Sequence, residues 1–338
     1  MFRRRVVVDR YGAPQLMQVV SDEPSAPGPG QVRLRVRFAG VAYADVLMRT
    51  GAYPGGPRPP FVPGWDVAGE VEELGPGVEP KWRGRRAVAL VLRGGYASHL
   101  TVPVGDLVPV PDGVDLAQAA CLPLAYVTAY HLLHRIAGAR PGERLLIHGA
   151  AGGVGTAVLQ LAGTFDVKCF GTASAGKHDV VAGLGAEPID YRAEDFVARL
   201  RDPGVDVVLD AIGGGTLARS FRVLRPGGRL VSYGFSSLVR EARAPTLPVL
   251  RQLALLCAWS SWPNGKQATF YRLSSIAKRR PAWVLKDLTV LVRLLAAREL
   301  KPLIGAMLPL ECAAEAHELV AGARVAGKVL LTPEEESS

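Results

Sequence analysis

The chain opens in short alternations of apolar and polar positions. Residues 6–8, 32–38, 67–71, 87–92 and 100–102 each alternate briefly and stop at turn-forming clusters such as Pro27-Gly28-Pro29-Gly30 and Gly75-Pro76-Gly77. A period of two puts every second side chain on one face, so each stretch predicts a half-buried strand. Together they predict a compact β-barrel or sandwich over the first third of the chain. Arg33, Arg35 and Arg37 alternate with Val32, Leu34, Val36 and Phe38, as a strand with a wet outer face requires. The rhythm changes near Leu116. Residues 117–136 have helical spacing, and after the turn Arg140-Pro141-Gly142-Glu143 strands and helices alternate: 145–147, 167–170, 179–184, 205–209, 216–224 and 230–233. Such βαβ repetition predicts a parallel, doubly wound sheet. After Pro302, a strand at 303–307, a helix at 312–321 and a strand at 327–331 look like a return to the first domain. The expected organisation is an α/β chain with one domain of residues 1–123 and 302–338 and another of 124–301.

Residues 240–293 are largely helical in pattern and hold Trp259, Trp262, Phe270, Tyr271 and Trp283. These aromatics either pack helices over the sheet, form a membrane or partner surface, or wall a bulky apolar substrate.

Composition narrows the class. With 49% hydrophobic residues in 338, the chain supports two cored domains, and its 38 Gly and 26 Pro are scattered, which excludes collagen and low-complexity polymers. The net charge of +9 raises nucleic acid or an anionic membrane as partners. The basic residues read as dispersed among acids, with local clusters only at Arg3-Arg4-Arg5 and Lys278-Arg279-Arg280, and this argues against both partners. The four cysteines, Cys121, Cys169, Cys257 and Cys312, are far apart and form no C-x-x-C pair. That leaves no disulfide framework and points to a reducing, cytoplasmic compartment. No segment reaches eighteen uninterrupted apolar residues.

The stretch that carries chemistry is Leu145-Leu146-Ile147-His148-Gly149-Ala150-Ala151-Gly152-Gly153-Val154-Gly155. A buried strand runs into evenly spaced glycines and then a helix. Small residues let backbone approach a pyrophosphate, and free N–H groups at the helix start face its charge. Ala151, Gly152, Gly153 and Val154 are the candidate phosphate contacts. Dinucleotide type is read at the end of the next strand, where an NAD-specific protein places an acid for the ribose 2′-OH. This chain has Ala173 there, followed by Ser174 and Lys177, a hydroxyl and a cation suited to a 2′-phosphate. The alternative is that Lys177 is a solvated lysine at a helix start. Tyr191 is placed to stack beside adenine or to bond the phosphate. NADP(H) is the expected cofactor.

At this point the chain resembles the medium-chain dehydrogenase/reductase superfamily, and within it the zinc-free quinone oxidoreductases. The likeness rests on Gly30-Gln31-Val32, Gly40-Val41-Ala42-Tyr43-Ala44-Asp45, Pro63-Gly64-Trp65-Asp66-Val67-Ala68-Gly69, Thr128-Ala129-Tyr130, the Ala150-to-Gly155 turn and Gly327-Lys328-Val329. Gly171-Thr172-Ala173-Ser174-Ala175-Gly176-Lys177-His178 is similar to the branch of the vesicle amine transport protein homologues. The resemblance implies a GroES-like β-barrel domain on the substrate side, a Rossmann domain for the cofactor, a cleft between them, and a homodimer formed through the cofactor domain, although no edge strand is evident. It also implies roles near the nicotinamide for Thr128, Gly234, Phe235 and Ser236, and a cleft-closing role for Lys328. Tyr53 matches a pocket tyrosine, as oxyanion donor, proton source or neutral wall.

Zinc relatives carry Cys where this chain has Ala42 and His where it has Trp65, and neither residue here ligates a metal. The four-cysteine lobe is missing, and His131 with His134 lacks a third ligand, so no metal is expected. Without a Lewis acid, hydride transfer needs an acceptor activated by conjugation, a quinone or an α,β-unsaturated carbonyl. Competing readings are reduction of an enoyl thioester or biosynthetic enone, and a non-catalytic NADPH-binding protein associated with membrane or RNA. Two departures from the family pattern stand out: Ala42 replaces a common Asn, leaving Tyr43 to supply a polar contact, and Gly84-Arg85-Arg86 lacks the usual acid.

Overall fold

A computed structural model describes residues 2–241, 246–263 and 265–333. The chain divides into two compact units, 1–127 with 276–338, and 128–275.

The first unit begins with an antiparallel hairpin of β1 (Arg3–Val8) and β2 (Met17–Asp22). A seven-stranded sheet then forms from β3 (Gln31–Val41), β4 (Asp66–Leu74), β5 (Arg86–Leu90), β6 (His99–Pro103), β7 (Val108–Pro109) and two strands from the far end of the chain. Every second residue of β3, Val32, Leu34 and Val36, is buried together with Val67, Val71, Ala87 and Ala89. The period-two expectation therefore describes this core well. The alternating arginines are held by acids across the ladder: Arg33 pairs with Glu73, and Arg35 with Glu70 at 3.2 Å. Arg33 departs from the expected wet face, because it lies buried under the carbonyl oxygens of Pro24 and Ser25. Gly69 lets the backbones of β3 and β4 approach closely, since a Cβ there would sit 2.1 Å from the Arg35 carbonyl oxygen.

Residues 116–136 are helical as the spacing predicts. They form short α-helical runs, Leu116–Ala120 and Val127–Tyr130, alternating with π-helical Leu122–Tyr126 and His131–Ile136. Pro123, with no N–H to donate, falls in the first of the wider stretches.

The second unit is a six-stranded parallel sheet of β8 (Arg144–His148), β9 (Lys168–Ala173), β10 (Glu187–Asp190), β11 (Val205–Asp210), β12 (Leu224–Ser232) and β13 (Gln267–Phe270), in the order β10-β9-β8-β11-β12-β13. Leu145, Leu146 and Ile147 are completely buried, as a central parallel strand covered on both faces demands. The chain leaves β8 toward β9 and β10, then returns to β11 on its other side. That reversal opens a crevice at the carboxyl ends of β8 and β11, where open α/β sheets bind ligands.

The described residues of the segment 240–293 are largely helical as the pattern predicts, and they depart from it at one strand. The segment holds helices Thr246–Ser261, Leu273–Arg279 and Pro281–Ala296, but also the edge strand β13. Most of its aromatics pack: Trp259 stacks on Phe221 at 4.4 Å, Phe270 on Phe235 at 6.4 Å, and Tyr271 bonds His131. Trp262 is 68% exposed. Beyond this segment, β14 (Ile304–Pro309), the helix Ala313–Ala321 and β15 (Lys328–Thr332) close the first unit, with β15 antiparallel to β3.

Candidate active site

The glycine turn at the end of β8 is built as its sequence implies. Gly149 takes φ +72°, and the helix Gly153–Ala162 starts from Gly152 as its N-cap. Its first intrahelical hydrogen bond is donated by Thr156 N–H to the Gly152 carbonyl at 2.8 Å. The N–H groups of Gly153, Val154 and Gly155 precede that bond and are available to an anion. Gly155 has a steric role: a Cβ there would stand 2.3 Å from the Gly149 oxygen and 2.5 Å from that of Ala150. These are the features of a turn shaped for a dinucleotide pyrophosphate.

β9 ends at a buried Ala173, and Ser174 opens the turn Ala175–Lys177. Lys177 is half-buried, and that burial lowers the pKa of its ammonium. The parallel neighbour β10 brings Tyr191 alongside, its N–H donating to the Ala173 carbonyl at 3.4 Å and its ring 54% exposed. The three residues read from the sequence as an adenosine pocket thus lie around one strand end.

The carboxyl ends of β11 and β12 carry the other candidates. Gly234 stands where a Cβ would meet the Ala211 oxygen at 2.4 Å, Phe235 is buried, and Ser236 N–H donates to Ala211 at 3.3 Å. Thr128 is buried in the helix Val127–Tyr130.

Sequence reasoning missed what holds these loops. Gln252, on the helix Thr246–Ser261, accepts from Gly214 N–H at 3.1 Å and donates to Ser232 Oγ at 3.1 Å and the Gly234 carbonyl at 3.2 Å. One amide therefore fastens the ends of two strands. It also missed Asp210, buried at the end of β11, whose Oδ1 accepts from the N–H groups of Ile212 and Gly213 at 2.7 and 2.9 Å. The only sequence signal was an isolated polar residue in an apolar run. His131 and His134 sit in aromatic surroundings, the first against Tyr271 and the second between Tyr130 and Phe165.

In the first unit, Tyr53 is half-buried and meets the Trp65 indole edge-on at 5.5 Å, in a cluster with Met48, Phe61 and Leu92. Asp45, wholly buried, accepts from Ala42 N–H at 2.9 Å and Gly64 N–H at 2.8 Å, and so ties together the two segments that bear metal ligands in zinc relatives. Burial pushes its carboxyl up to about 7. Lys328 is 4% exposed, with Nζ 2.9 Å from Asp66 Oδ2, so its ammonium is committed to an ion pair inside this unit. The donor set does not fit zinc. Ala42 and Trp65 offer no ligand, burial pushes the Cys121 thiol up to about 12, and no cluster of three or more His, Cys, Asp or Glu is arranged for a metal among the described residues.

A parallel sheet in the β10-β9-β8-β11-β12-β13 order, with a glycine turn at its switch point, defines a Rossmann-type dinucleotide-binding unit. The chain belongs to the medium-chain dehydrogenase/reductase superfamily of NAD(P)(H)-binding oxidoreductases, close to the VAT-1 homologues and the quinone oxidoreductases. Residues 28–112 match the alcohol dehydrogenase GroES-like domain, and 184–331 the family described as zinc-binding dehydrogenase. The chain is 35% identical to the synaptic vesicle membrane protein VAT-1 homolog of Rattus norvegicus over 326 residues, covering 92% of this chain and 78% of that one. It is 30% identical to the quinone oxidoreductase of the same organism, with 97% of each covered. The Escherichia coli quinone oxidoreductase complexed with NADPH superposes with a TM-score of 0.85 at 29% identity, covering 98% of this chain and 100% of that one.

Proposed function

We propose that this chain is an NADPH-dependent, zinc-independent reductase that transfers hydride to a quinone or an α,β-unsaturated carbonyl. The observation that carries the cofactor choice is the end of β9, where a buried Ala173 replaces the acid of NAD-specific proteins and Ser174 and Lys177 follow. An acid there would repel a 2′-phosphate; a hydroxyl and an ammonium attract one. The likeness to quinone oxidoreductases, one of them complexed with NADPH, supports both halves of the reading.

The bound dinucleotide supplies the hydride. The chain's own residues then have three tasks: to orient the reactants, to donate to the oxygen that gains charge, and to exclude water. The turn of residues 151–154 holds the pyrophosphate, with the N–H groups of Gly153 and Val154 donating to it while that of Gly152 stays on the Gly149 carbonyl, Ser174, Lys177 and Tyr191 hold the adenosine end, and Thr128 with Gly234, Phe235 and Ser236 the nicotinamide. Tyr53 donates its phenolic proton toward the developing enolate or hydroquinone oxygen. Because no zinc ligand stands at 42 or 65, the acceptor carries its own activation by conjugation. The same reading has the protein act in the cytoplasm as a homodimer. The outer side of β13, which no described strand covers, supports association through the cofactor unit.

The test is NADPH oxidation against a panel of quinones, alkenals and enoyl thioesters, with metal analysis in parallel. Quinone- or enone-dependent turnover without stoichiometric zinc is expected, and zinc lost in step with activity overturns the zinc-free mechanism. For Lys177→Ala, loss of one charge-assisted contact of about 1.5–3 kcal/mol weakens NADPH binding roughly ten- to hundredfold while leaving NADH binding nearly unchanged. Unchanged NADPH affinity would show that the 2′-phosphate lies elsewhere.

A further inference from the structure

Beneath the glycine turn runs a chain of buried polar side chains for which the cofactor contacts give no reason. Gly149 N–H donates to Thr172 Oγ1 at 3.4 Å. Thr172 Oγ1 is 3.0 Å from His148 Nδ1, and His148 Nε2 is 3.0 Å from Ser220 Oγ. Ser220 donates to Asp210 Oδ2 at 2.9 Å, and the other oxygen of Asp210 accepts from Ile212 and Gly213. All four side chains are 3% exposed or less.

The directions of these bonds follow from one fixed point. Ser220 spends its single proton on the Asp210 carboxylate, so it can only accept from His148. His148 Nε2 therefore carries the ring proton, and Nδ1 accepts from the Thr172 hydroxyl. Thr172, having donated, accepts from Gly149. Every hydroxyl donates once and accepts once, and the imidazole is held in a single tautomer. The Phe196 ring packs against the imidazole in a T-shaped contact, with centroids 4.8 Å apart. Burial lowers the pKa of His148, which favours the neutral ring that this bond pattern requires.

The ends of this chain are informative. One is the turn at the carboxyl end of β8, the other the glycine loop Ile212-Gly213-Gly214 at the carboxyl end of β11, the two strands that border the switch point. Ser220 reaches it from the helix Gly215–Arg222. We propose that His148 is a positioning residue, held as its Nε2–H tautomer, that locks the β8 glycine turn to the β11 glycine loop so that both face the dinucleotide as one rigid surface. The inference rests on the cofactor reading above, but it concerns side chains buried beneath the turn. A histidine that merely filled core volume would need neither a fixed tautomer nor partners from two other elements.

Two measurements decide it. In uniformly 15N-labelled protein without cofactor, ring-nitrogen spectra should show His148 as a neutral ring with its proton on Nε2. A proton on Nδ1, or an exchanging mixture, overturns the proposal. In NADPH titrations, Ser220→Ala should raise Kd about tenfold although Ser220 lies outside the phosphate turn. Thr172→Val, which keeps the shape and loses the hydroxyl, should do the same, and Thr172→Ser should stay within about twofold of the parent. Lowered melting temperatures with unchanged Kd would mean a structural role only, against the proposal. Should the parent protein bind neither NADPH nor NADH, the cofactor reading fails, and the ring-nitrogen spectrum by itself still decides whether the chain exists as described.

Discussion

Lys328 shows how far a residue's surroundings govern its role. Family likeness implies a cofactor-side role for it. In the structure its ammonium lies against Asp66, both almost fully buried, and Gly40 makes room, since a Cβ there would meet Asp66 Oδ1 at 2.3 Å and Lys328 Cε at 2.6 Å. A buried ion pair stabilises a fold little compared with apolar packing, but removing one partner strands the other charge. Lys328→Met should therefore lower the unfolding free energy by about 3–5 kcal/mol, as read from urea denaturation, and adding Asp66→Asn should recover a good part of that loss. If the single variant is as stable as the parent, the pair does not form as described. Tyr53 shows the same dependence in reverse: its motif placed it in a pocket, but its contact with Trp65 comes from a residue twelve positions on.

At the scale of elements, the glycine turn was legible because everything that makes it is local. A buried strand, a left-handed Gly149 and a helix start occur within a dozen residues, and each leaves its mark in residue type. Gly155→Ala should push a methyl against two carbonyl oxygens of the turn. Overpacking of this kind costs about 1–3 kcal/mol, so dinucleotide affinity should fall roughly ten- to hundredfold by fluorescence titration, with the rest of the fold retained by circular dichroism. Wild-type affinity in that variant would mean the turn opens freely and does not shape the site. β13 was not legible. It is four residues long, Gln267-Ala268-Thr269-Phe270, between helical patterns, and only its parallel register against Arg229–Ser232 makes it a strand. Gln252 was hidden for a related reason: on a helix with Leu247, Leu250 and Leu255 exposed, one amide carries no periodic signal that it fastens two loops.

At the scale of the whole molecule, the charge is less dispersed than it first reads. Residues 242–286 carry eight Lys or Arg and no acid, leaving the rest of the chain nearly balanced. No helix among the described residues is long and apolar enough to cross a membrane. Acid sensitivity is set by buried groups. Burial, helped by the Arg49 guanidinium, pushes His317 down to about 3, and burial also lowers His148 and His99. Unfolded histidine takes up a proton below about 6.5, so these groups contribute stability that is complete above that pH and is lost as the pH falls toward their folded values. Asp45, raised to about 7, works the other way: its contribution is complete below about 3.8 and is lost as the pH rises to 7. His317 and Asp45 act in opposite directions between pH 7 and pH 5, so Asp45→Asn should make the denaturation midpoint more sensitive to acid than in the parent. A variant whose midpoint is no more acid-sensitive than the parent's would contradict this assignment.

The amino-acid sequence by itself determined the change from short alternating strands to βαβ repetition, the glycine turn and the missing acid at Ala173. These depend on periodicity and on backbone conformations that a few neighbouring residues select. The tertiary structure alone decided which polar groups meet. His148 and Ser220 are 72 residues apart and Lys328 and Asp66 are 262 apart. Nothing in local spacing specifies such partners, because a buried hydrogen bond or ion pair exists only once the topology has brought both groups out of water together.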